Sequence, residues 1–507
     1  MSIDPITLSV LQGALEGIAE EMGVLLIRAA YSSNIKERRD CSTALFDATG
    51  AMVAQAEHIP VHLGAMPEAV AAVMQRQPEP GDVYAINDPY SGGTHLPDIT
   101  LVSPLESGGE VVAYAVTRAH HSDIGGMSPG SMPASSTDIF QEGLIVPPVK
   151  LATSSGYVDD VLDIVLANSR TPEIRRADLR AQIGANRLAQ ARLDELIERR
   201  GREVVVGAFV AVRDYADRRV REAIAELPDG SYRAEDVLEG DGTTGVEIPI
   251  VATATIAGEE MTIDLAGTSG AVPGNINCPF AVTRSACYFA LRVLLPSDVP
   301  TNAGTYAALD IRAPQGSLVD ARPPSAVVAG NVETSQRIAD VVLSALAQVA
   351  DLPAQGQGTM NNVVIGGRGW TYYETIGGGQ GASAAGPGPS GVHVGMSNTL
   401  NTPIEALELE FPLRVDRYEL RSDSGGAGKH RGGEGIVRSV RVLEDATLSL
   451  LTDRRARGPR GAHGGGDGSP GRNLVNGEEG PAKGTRALDD NDVVEIHTPG
   501  GGGWGAP

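Results

Sequence analysis

Glycine is unevenly distributed along the chain, and this distribution restricts how the second half can fold. Of the 507 residues, 63 are glycine, and they are densest in residues 366–397 and 425–507. A glycine-rich backbone serves tight turns and close approach to ligands or neighbouring segments. Valine, isoleucine and leucine are interspersed with these glycines. The pattern therefore predicts ordered loops on a β scaffold rather than disorder.

Regular periodicities predict helices and strands in the rest of the chain. Residues 5–31 place apolar side chains three and four positions apart behind Asp4, which can cap a helix that begins at Pro5. Two further long, charged helices are predicted for residues 172–200 and 202–226. Short apolar segments bounded by Gly, Pro or Asp predict strands near residues 43–47, 51–55, 83–86, 99–102, 111–116, 232–238, 246–253 and 261–265.

These elements indicate an α+β fold with more than one domain. The chain length predicts roughly three domains of about 150 residues each. A turn at residues 228–230 and the onset of short strands near residue 415 divide the chain into regions 1–228, 229–414 and 415–507. We expect a multi-domain mixed fold, with a helix-containing N-terminal half that carries polar loops on a β-sheet and a β-rich, Gly-rich C-terminal part.

Charge and composition exclude several classes of function. The formal net charge is −23, which argues against binding to nucleic acid or to an anionic membrane surface, because both require a positive face. The N terminus lacks the features of a signal peptide, and no apolar stretch approaches the roughly 20 residues that span a membrane. The three cysteines form no CxxC pair, so a disulfide framework is not expected. We expect a cytoplasmic protein.

The densest group of chemically active side chains lies in two nearby motifs. NDPYSGGTHLPD occupies residues 87–98, and RAHHSDIGG occupies residues 118–126. Two predicted strands connect them as a hairpin, which can return the second motif to the first. Three of the nine histidines fall between positions 95 and 121. The candidate side chains at one end of the sheet are Asp88, His95, Asp98, His120, His121 and Asp123.

A mixed set of imidazole nitrogens and carboxylate oxygens is typical of a site for Zn, Mn, Fe or Co. Asp40, just before a predicted strand, is available as another carboxylate. An incomplete protein shell leaves a position for water, which the metal can acidify. Each motif alone is as consistent with a surface loop, and it is the concentration of His and Asp in this part of the chain that favours a metal site.

Other polar residues are more readily explained by structural roles. Glu142 could be an acid/base group, although a capping or solvated carboxylate is favoured. The proline in EHIPVHLG argues against a helical ligand pair of His58 and His62. Cys41 has no assigned histidine base, so a nucleophilic thiol is not expected. No P-loop motif is present. Several polar residues lie in Gly/Pro loops, where they could line a cleft or hydrogen bond within their own loops. They are Arg284, Asn302, Asn331, Glu333 and Gln336.

Four further segments are as distinctive as the two motifs: IFQEGLIVPPVKL, AVVAGNVETSQRI, ELRSDSGGAGKHRGGEGIVR and the closing TPGGGGWG. With these segments and the two motifs, the chain resembles the hydantoinase B/5-oxoprolinase family over nearly its whole length. The resemblance implies a divalent metal and a partner subunit of the hydantoinase A type that uses ATP to phosphorylate a small cyclic amide, in a hetero-oligomer. It implies metal ligands at Asp40, His95, Asp98 and His120. It also suggests catalytic or proton-transfer roles for His121, Asp123 and Glu142.

Two alternative functions stay open at this point. Related subunits belong to acetone and acetophenone carboxylases, and the same metal ligands would serve that chemistry. A non-catalytic scaffold with a structural metal site is the other alternative, although His and carboxylate ligands without thiolates are less typical of structural zinc. The resemblance does not choose among hydantoin, N-methylhydantoin, 5-oxoproline and lactams as the substrate.

Overall fold

The described residues form helices and four separate β-sheets, which confirms the α+β class. The computed structural model describes residues 3–507, without the side chain of residue 57. The α-helices are α1 Pro5–Ala29, α2 Ser33–Lys36, α3 Met66–Met74, α4 Asp159–Ala167, α5 Pro172–Arg200, α6 Arg202–Ala225, α7 Phe280–Leu294, α8 Ser335–Leu346 and α9 Ile404–Glu410. Among the described residues, no helix is both long and apolar enough to cross a membrane.

The strands fall mainly where alternating or apolar segments are bounded by turn residues. They are β1 Cys41–Asp47, β2 Met52–Glu57, β3 Val83–Ile86, β4 Asp98–Ser107, β5 Glu110–His120, β6 Val149–Thr153, β7 Gly156–Tyr157, β8 Gly230–Leu238, β9 Ile248–Ala257, β10 Glu260–Asp264, β11 Leu309–Arg312, β12 Asn362–Gly367, β13 Trp370–Glu374, β14 Leu413–Arg421, β15 Gly435–Val442, β16 Ala446–Leu451, β17 Arg472–Val475, β18 Glu478–Glu479, β19 Lys483–Leu488 and β20 Val493–His497.

The first sheet is antiparallel and has the strand order β2-β1-β5-β4-β3-β6-β7. Helices α1, α5 and α6 pack on one face, and α3 and α7 belong to the core on the other. Every residue of β1 is buried, because this strand is covered on both faces. Strands covered on both faces lose the simple alternation of apolar and polar residues.

Helix α1 shows how the sequence specifies these elements locally. The Asp4 carboxylate accepts hydrogen bonds from the N–H groups of Ile6 and Thr7 at 3.1 Å, and Pro5 occupies the first helical position, where no N–H is required. The buried face consists of Leu11, Leu15, Ile18, Ala19, Met22, Gly23 and Leu26. This face packs against the first sheet and against α5 and α6, as the periodicity predicted.

The remaining sheets are smaller, and one of them joins distant parts of the chain. The second sheet, β11-β10-β9-β8, packs against α7 and α8, and the fourth has the order β14-β15-β20-β17-β18. The third sheet, β13-β12-β16-β19, takes strands from both sides of residue 414. The domain limits at 228/229 and 414/415 stay predictions.

The C-terminal residues 500–503 lie at the centre of a region we call the glycine core. A Cβ on any of these four glycines would lie 1.9–2.1 Å from a carbonyl oxygen of another segment. None of the four has a positive φ, so close backbone approach, rather than backbone conformation, requires glycine here. The segments that surround residues 500–503 contribute the carbonyl groups of Ser424, Gln380, Arg460 and Ala427.

A buried network of charged side chains ties α8 to two of the sheets. Arg337 in α8 donates to Asp453 at 2.9 Å and approaches Asp236 of β8 at 3.2 Å. Lys483 of β19 donates to Asp453 at 2.8 Å, and Arg454 donates to Asp236 at 2.8 Å. All five residues are buried, so each charge depends on its partners for compensation.

Candidate metal centre

Three of the predicted ligands, His95, Asp98 and His120, meet where β4 begins and β5 ends. Asp98 is the first residue of β4 and His120 is the last residue of β5, and the antiparallel register places them opposite each other. His95 lies three residues before Asp98, in the turn that leads into β4. The hairpin therefore brings together two motifs whose histidines are 25 positions apart.

The loop that carries His95 is held in one shape by its own contacts. The Asn87 side chain accepts a hydrogen bond from the N–H of Val146 at 2.7 Å, which fastens the loop to the neighbouring segment. Gly92 has a φ of +107°, and a Cβ at Gly93 would lie 2.1 Å from the carbonyl oxygen of Asn87. The Gly-Gly pair is therefore required for the turn that presents His95.

The three ligand atoms form a nearly equilateral triangle. His95 Nε2 lies 3.0 Å from Asp98 Oδ1, His120 Nδ1 lies 3.1 Å from the same oxygen, and the two nitrogens are 3.2 Å apart. If both imidazoles donated hydrogen bonds to the Asp98 carboxylate, their two N–H groups would lie against each other along the edge that joins the two nitrogens. Ligands bound to one ion at about 2.1 Å, with angles from 90° to 109°, are separated by roughly 3.0–3.4 Å. The residues therefore fit a divalent metal ion.

The electrostatics of the triangle also suit a cation. Burial alone would raise the pKa of Asp98, but the charge of His95 and hydrogen bonds from His120 and His62 hold that pKa well below its usual range. Burial lowers the pKa of His120. Burial opposes protonation of His95 too, but the adjacent Asp98 carboxylate raises its pKa. An ionised carboxylate and neutral imidazoles are the forms that bind a metal, so an ion at this site would take the place of the proton that Asp98 favours on His95.

Asp40, the fourth predicted ligand, lines the same cavity but stands outside the triangle. Its backbone carbonyl accepts a hydrogen bond from the N–H of His120 at 3.0 Å, and its carboxylate lies 3.8 Å from the guanidinium of Arg38. Among the described residues, the donor atoms that fall within 4.8 Å of one another belong to His95, Asp98 and His120. Coordination by Asp40 stays a prediction.

His62 belongs to the cluster, although sequence reasoning favoured a structural role for it. Its Nε2 lies 3.4 Å from Asp98 Oδ2, and its Nδ1 lies 2.9 Å from the hydroxyl of Ser42. Pro60 excludes a regular helix, and a short 3-10 turn over Pro60–His62 brings the imidazole to the carboxylate instead. Helical spacing does not reveal this arrangement, because the backbone at Pro60–His62 is a 3-10 turn and not an α-helix.

The three residues predicted as catalytic groups lie around the cavity rather than in its wall. His121 Nε2 is 2.9 Å from Gln182 Oε1 in α5, on the far side of the strand end. Asp123 accepts from Arg170 at 2.9 Å. Glu142 accepts from two backbone N–H groups at 3.1 Å, and burial raises its pKa to about 7. These contacts support neighbouring loops, and a direct catalytic role for the three residues stays a prediction.

A small cavity of about 20 Å³ adjoins the triangle, which is room for about one water molecule. The Tyr373 ring of β13 stacks on His120 with centroids 4.7 Å apart, so the third sheet closes the cavity. The larger open cleft beside Tyr90 contains none of these ligands. The cavity is lined by Asp40, Ile59, Val61, His62, His95, Asp98, His120, Asn331, Val332, Met360, Tyr373, Thr375, Ser397 and Thr399.

Comparisons with known proteins agree with this architecture. Residues 4–507 match the family model described as hydantoinase B/oxoprolinase. The chain is 41% identical to an uncharacterized protein of Methanocaldococcus jannaschii, over 100% of the chain and 91% of that protein. It is 38% identical to 5-oxoprolinase 1 of Arabidopsis thaliana, over 99% of the chain but only 42% of the plant protein.

Two solved structures share the fold. The ATP-dependent caprolactamase from Pseudomonas jessenii has a TM-score of 0.92 and 31% identity, over 100% of this chain and 92% of that one. The nucleotide-free structure of acetone carboxylase has a TM-score of 0.87 and 20% identity, over 99% and 76%. At that lower identity, the second comparison concerns the fold alone.

Proposed function

The chain belongs to the hydantoinase B/oxoprolinase family, and on this basis we propose that it is the metal-dependent hydrolytic subunit of an ATP-dependent cyclic-amide hydrolase. The plant relative is named 5-oxoprolinase, and the more similar solved structure is named ATP-dependent caprolactamase. Both names refer to ring amides. The observation that carries the proposal is the buried triangle of His95, Asp98 and His120, which adjoins free space for about one water molecule.

The chain's own residues would hold the ion and keep the site dry. His95, Asp98 and His120 provide the ligand atoms, with Asp40 as a further carboxylate at the cavity wall. A divalent Zn, Mn, Fe or Co ion would supply charge that polarises a substrate oxygen and acidifies water. The apolar part of the wall, which includes Met360, excludes bulk water and so strengthens electrostatic interactions inside.

ATP would act through a partner of the hydantoinase A type, and the pair would form a hetero-oligomer. The sequence contains no P-loop, and the chain covers only 42% of the plant 5-oxoprolinase. An unstrained amide is a poor electrophile, so phosphorylation of its oxygen lowers the barrier before water attacks. Each turnover would cleave one ring C–N bond with water and convert one ATP to ADP and phosphate.

The hydrolase is favoured over two alternatives. A carboxylase subunit of the acetone carboxylase type has the support of a shared fold at 20% identity, which carries no information about the reaction. A structural metal site is usually saturated by four protein ligands, whereas the described triangle offers three ligand residues beside space for about one water molecule.

The test is to co-express the chain with its neighbouring ATPase-type subunit and to measure both phosphate release and ring opening. The substrates would be 5-oxoproline, hydantoin, N-methylhydantoin and a lactam. The variant His95→Ala removes a proposed ligand, and His463→Ala provides a matched control because His463 is exposed and lies outside the cavity. We expect ring opening that requires ATP, both subunits and His95 but not His463.

The alternatives predict different results in the same assay. ATP turnover that gives no ring opening, and that yields a carboxylated product only with bicarbonate and a ketone, would support the carboxylase. Ring opening that survives His95→Ala would contradict the proposed site. Bound metal with no ATP-dependent reaction on any substrate would favour the scaffold.

A further inference from the structure

The two oxygens of the Asp98 carboxylate have different neighbours. Oδ1 belongs to the triangle and lies 3.0 Å from His95 Nε2 and 3.1 Å from His120 Nδ1. Oδ2 accepts a hydrogen bond from the Thr94 hydroxyl at 2.6 Å and lies 3.4 Å from His62 Nε2. All five residues are buried. A carboxylate group turns readily about its last side-chain bond, so the contacts at Oδ2 determine which oxygen faces the two imidazoles of the triangle.

The tautomer of His62 follows from the groups on either side of its ring. Nδ1 lies 2.9 Å from the Ser42 hydroxyl, and Nε2 faces Asp98 Oδ2. An Nε2 without a proton would place its lone pair against those of the ionised carboxylate, which is repulsive. The neutral ring therefore carries its proton on Nε2, and Nδ1 accepts a hydrogen bond from Ser42. In this form His62 donates to Asp98 and does not offer Nε2 to a metal.

The position of the His62 ring is fixed by two separate elements of the fold. His62 ends the 3-10 turn Pro60–His62, and two residues later the N–H of Gly64 donates to the Ser285 hydroxyl of α7 at 2.9 Å. A Cβ at Gly64 would lie 2.7 Å from the backbone nitrogen of Ser285, so the segment that follows the turn packs closely on that helix. Strand β1 supplies Ser42 on the other side of the ring. The ring is therefore held well enough to orient a neighbouring side chain.

We propose that His62 is a positioning residue for the metal centre, and that together with Thr94 it holds Oδ2 so that Asp98 presents Oδ1 to the ion. The inference rests on the proposed function, because it concerns the same metal site. Among the described residues, the donor atoms that lie within 4.8 Å of one another do not include those of His62, in agreement with an indirect role. Residues that orient a ligand in this way typically strengthen metal binding by about tenfold to a hundredfold.

The test measures the Zn²⁺ affinity of the full chain by competition with a coloured chelator. His62→Met is similar in size but has no N–H, and it should bind Zn²⁺ about tenfold to a hundredfold more weakly than wild type. His62→Gln can place an amide N–H close to the position of Nε2, and it should restore most of the affinity. His497→Met is the matched control, because His497 also contacts a carboxylate, that of Glu495 at 2.6 Å, but lies outside the cavity. This control should bind Zn²⁺ as wild type does.

Co²⁺ in place of Zn²⁺ gives a second measurement, because its visible absorption reports the arrangement of its ligands. His62→Gln should give the wild-type spectrum, whereas His62→Met should give a different one, because the Asp98 carboxylate is then free to turn. Wild-type Zn²⁺ affinity or an unchanged Co²⁺ spectrum in His62→Met would overturn the inference. A His62→Gln variant that binds Zn²⁺ as weakly as His62→Met would overturn it too, because the imidazole would then itself bind the ion.

Folding and the proposed function are tested apart from this inference. Without metal, the variants should unfold at the wild-type temperature. If His62→Met does not fold, Thr94→Val removes the other donor to Oδ2 with little change in shape, and it should also weaken Zn²⁺ binding. Wild-type affinity in Thr94→Val would count against the inference. The measurements need neither the partner subunit nor a substrate, so a failed ring-opening assay with the expected order of Zn²⁺ affinities refutes only the proposed function. A wild-type chain that binds no Zn²⁺ refutes both.

Discussion

Replacement of one glycine in the glycine core should destabilise the whole protein. A Cβ at Gly501 would lie 2.0 Å from the carbonyl oxygen of Gln380 and 2.3 Å from its carbonyl carbon, so Gly501→Ala requires movement of more than about 1 Å to reach normal contact. The N–H of Gly501 donates to Gly433 at 2.9 Å, and its carbonyl accepts from Gly426 at 2.8 Å. Overpacking together with loss of both bonds should cost about 2–6 kcal/mol.

Urea unfolding followed by circular dichroism would measure this cost, and helix α1 supplies the control. A Cβ at Gly13 meets nothing within 4 Å, and this residue is exposed on the helix. Gly13→Ala should therefore stabilise the protein by roughly 0.5–1 kcal/mol, because alanine loses less backbone entropy in a helix. If Gly501→Ala unfolds at the wild-type urea concentration, or if both variants shift in the same direction by the same amount, the close-approach argument is wrong.

Three further predictions concern the buried polar groups. His95→Ala should lower the amount of Zn²⁺ retained after gel filtration to less than half of the wild-type value, as measured by plasma emission spectrometry, whereas retained wild-type stoichiometry would exclude this residue as a ligand. Burial alone would raise the pKa of Asp453, but Lys483 and Arg337 lower it to about 2. This pKa is lower than the value of about 3.9 for the carboxyl group in the unfolded chain. The ionised Asp453 carboxylate therefore stabilises the fold fully above about pH 4, and this stabilisation is lost as the pH falls towards about 2. Asp453→Asn should destabilise the protein by about 3–5 kcal/mol at neutral pH, because two buried cations lose a partner. If the difference in unfolding free energy between the variant and wild type does not shrink in acid, this account is wrong. Burial raises the pKa of the Cys41 thiol, and the described cysteines are all buried and free. Iodoacetamide at pH 8 should therefore label none of them, as measured by mass spectrometry, until the protein is unfolded.

Helices and hairpins with strong local signals could be predicted from the sequence, whereas sheets built across long sequence distances could not. The predicted helix over residues 172–200 has the same bounds as α5, because apolar periodicity and Pro172 both act locally. No local pattern indicates the pairing of β12 with β16, because the paired residues are more than 80 positions apart in the chain. Such pairing depends on which faces remain to be covered once the local elements have formed.

The candidate site shows the same division. His95, Asp98 and His120 could be grouped because one hairpin connects their motifs. His62 could not, because its approach to Asp98 depends on a 3-10 turn. Tyr373 arrives from a different sheet, and nothing in its own sequence context indicates that it stacks on a histidine.

Burial of the triangle has a consequence for the timing of events in this protein. The side chains of His95, Asp98 and His120 are at most 3% exposed, so neither an ion nor a ring can reach them unless part of the cavity wall separates. Entry of a ring and escape of an ion would then share a single opening motion. At high chelator concentration, the rate at which EDTA removes the ion should become independent of EDTA, and this limiting rate would report how often the wall opens.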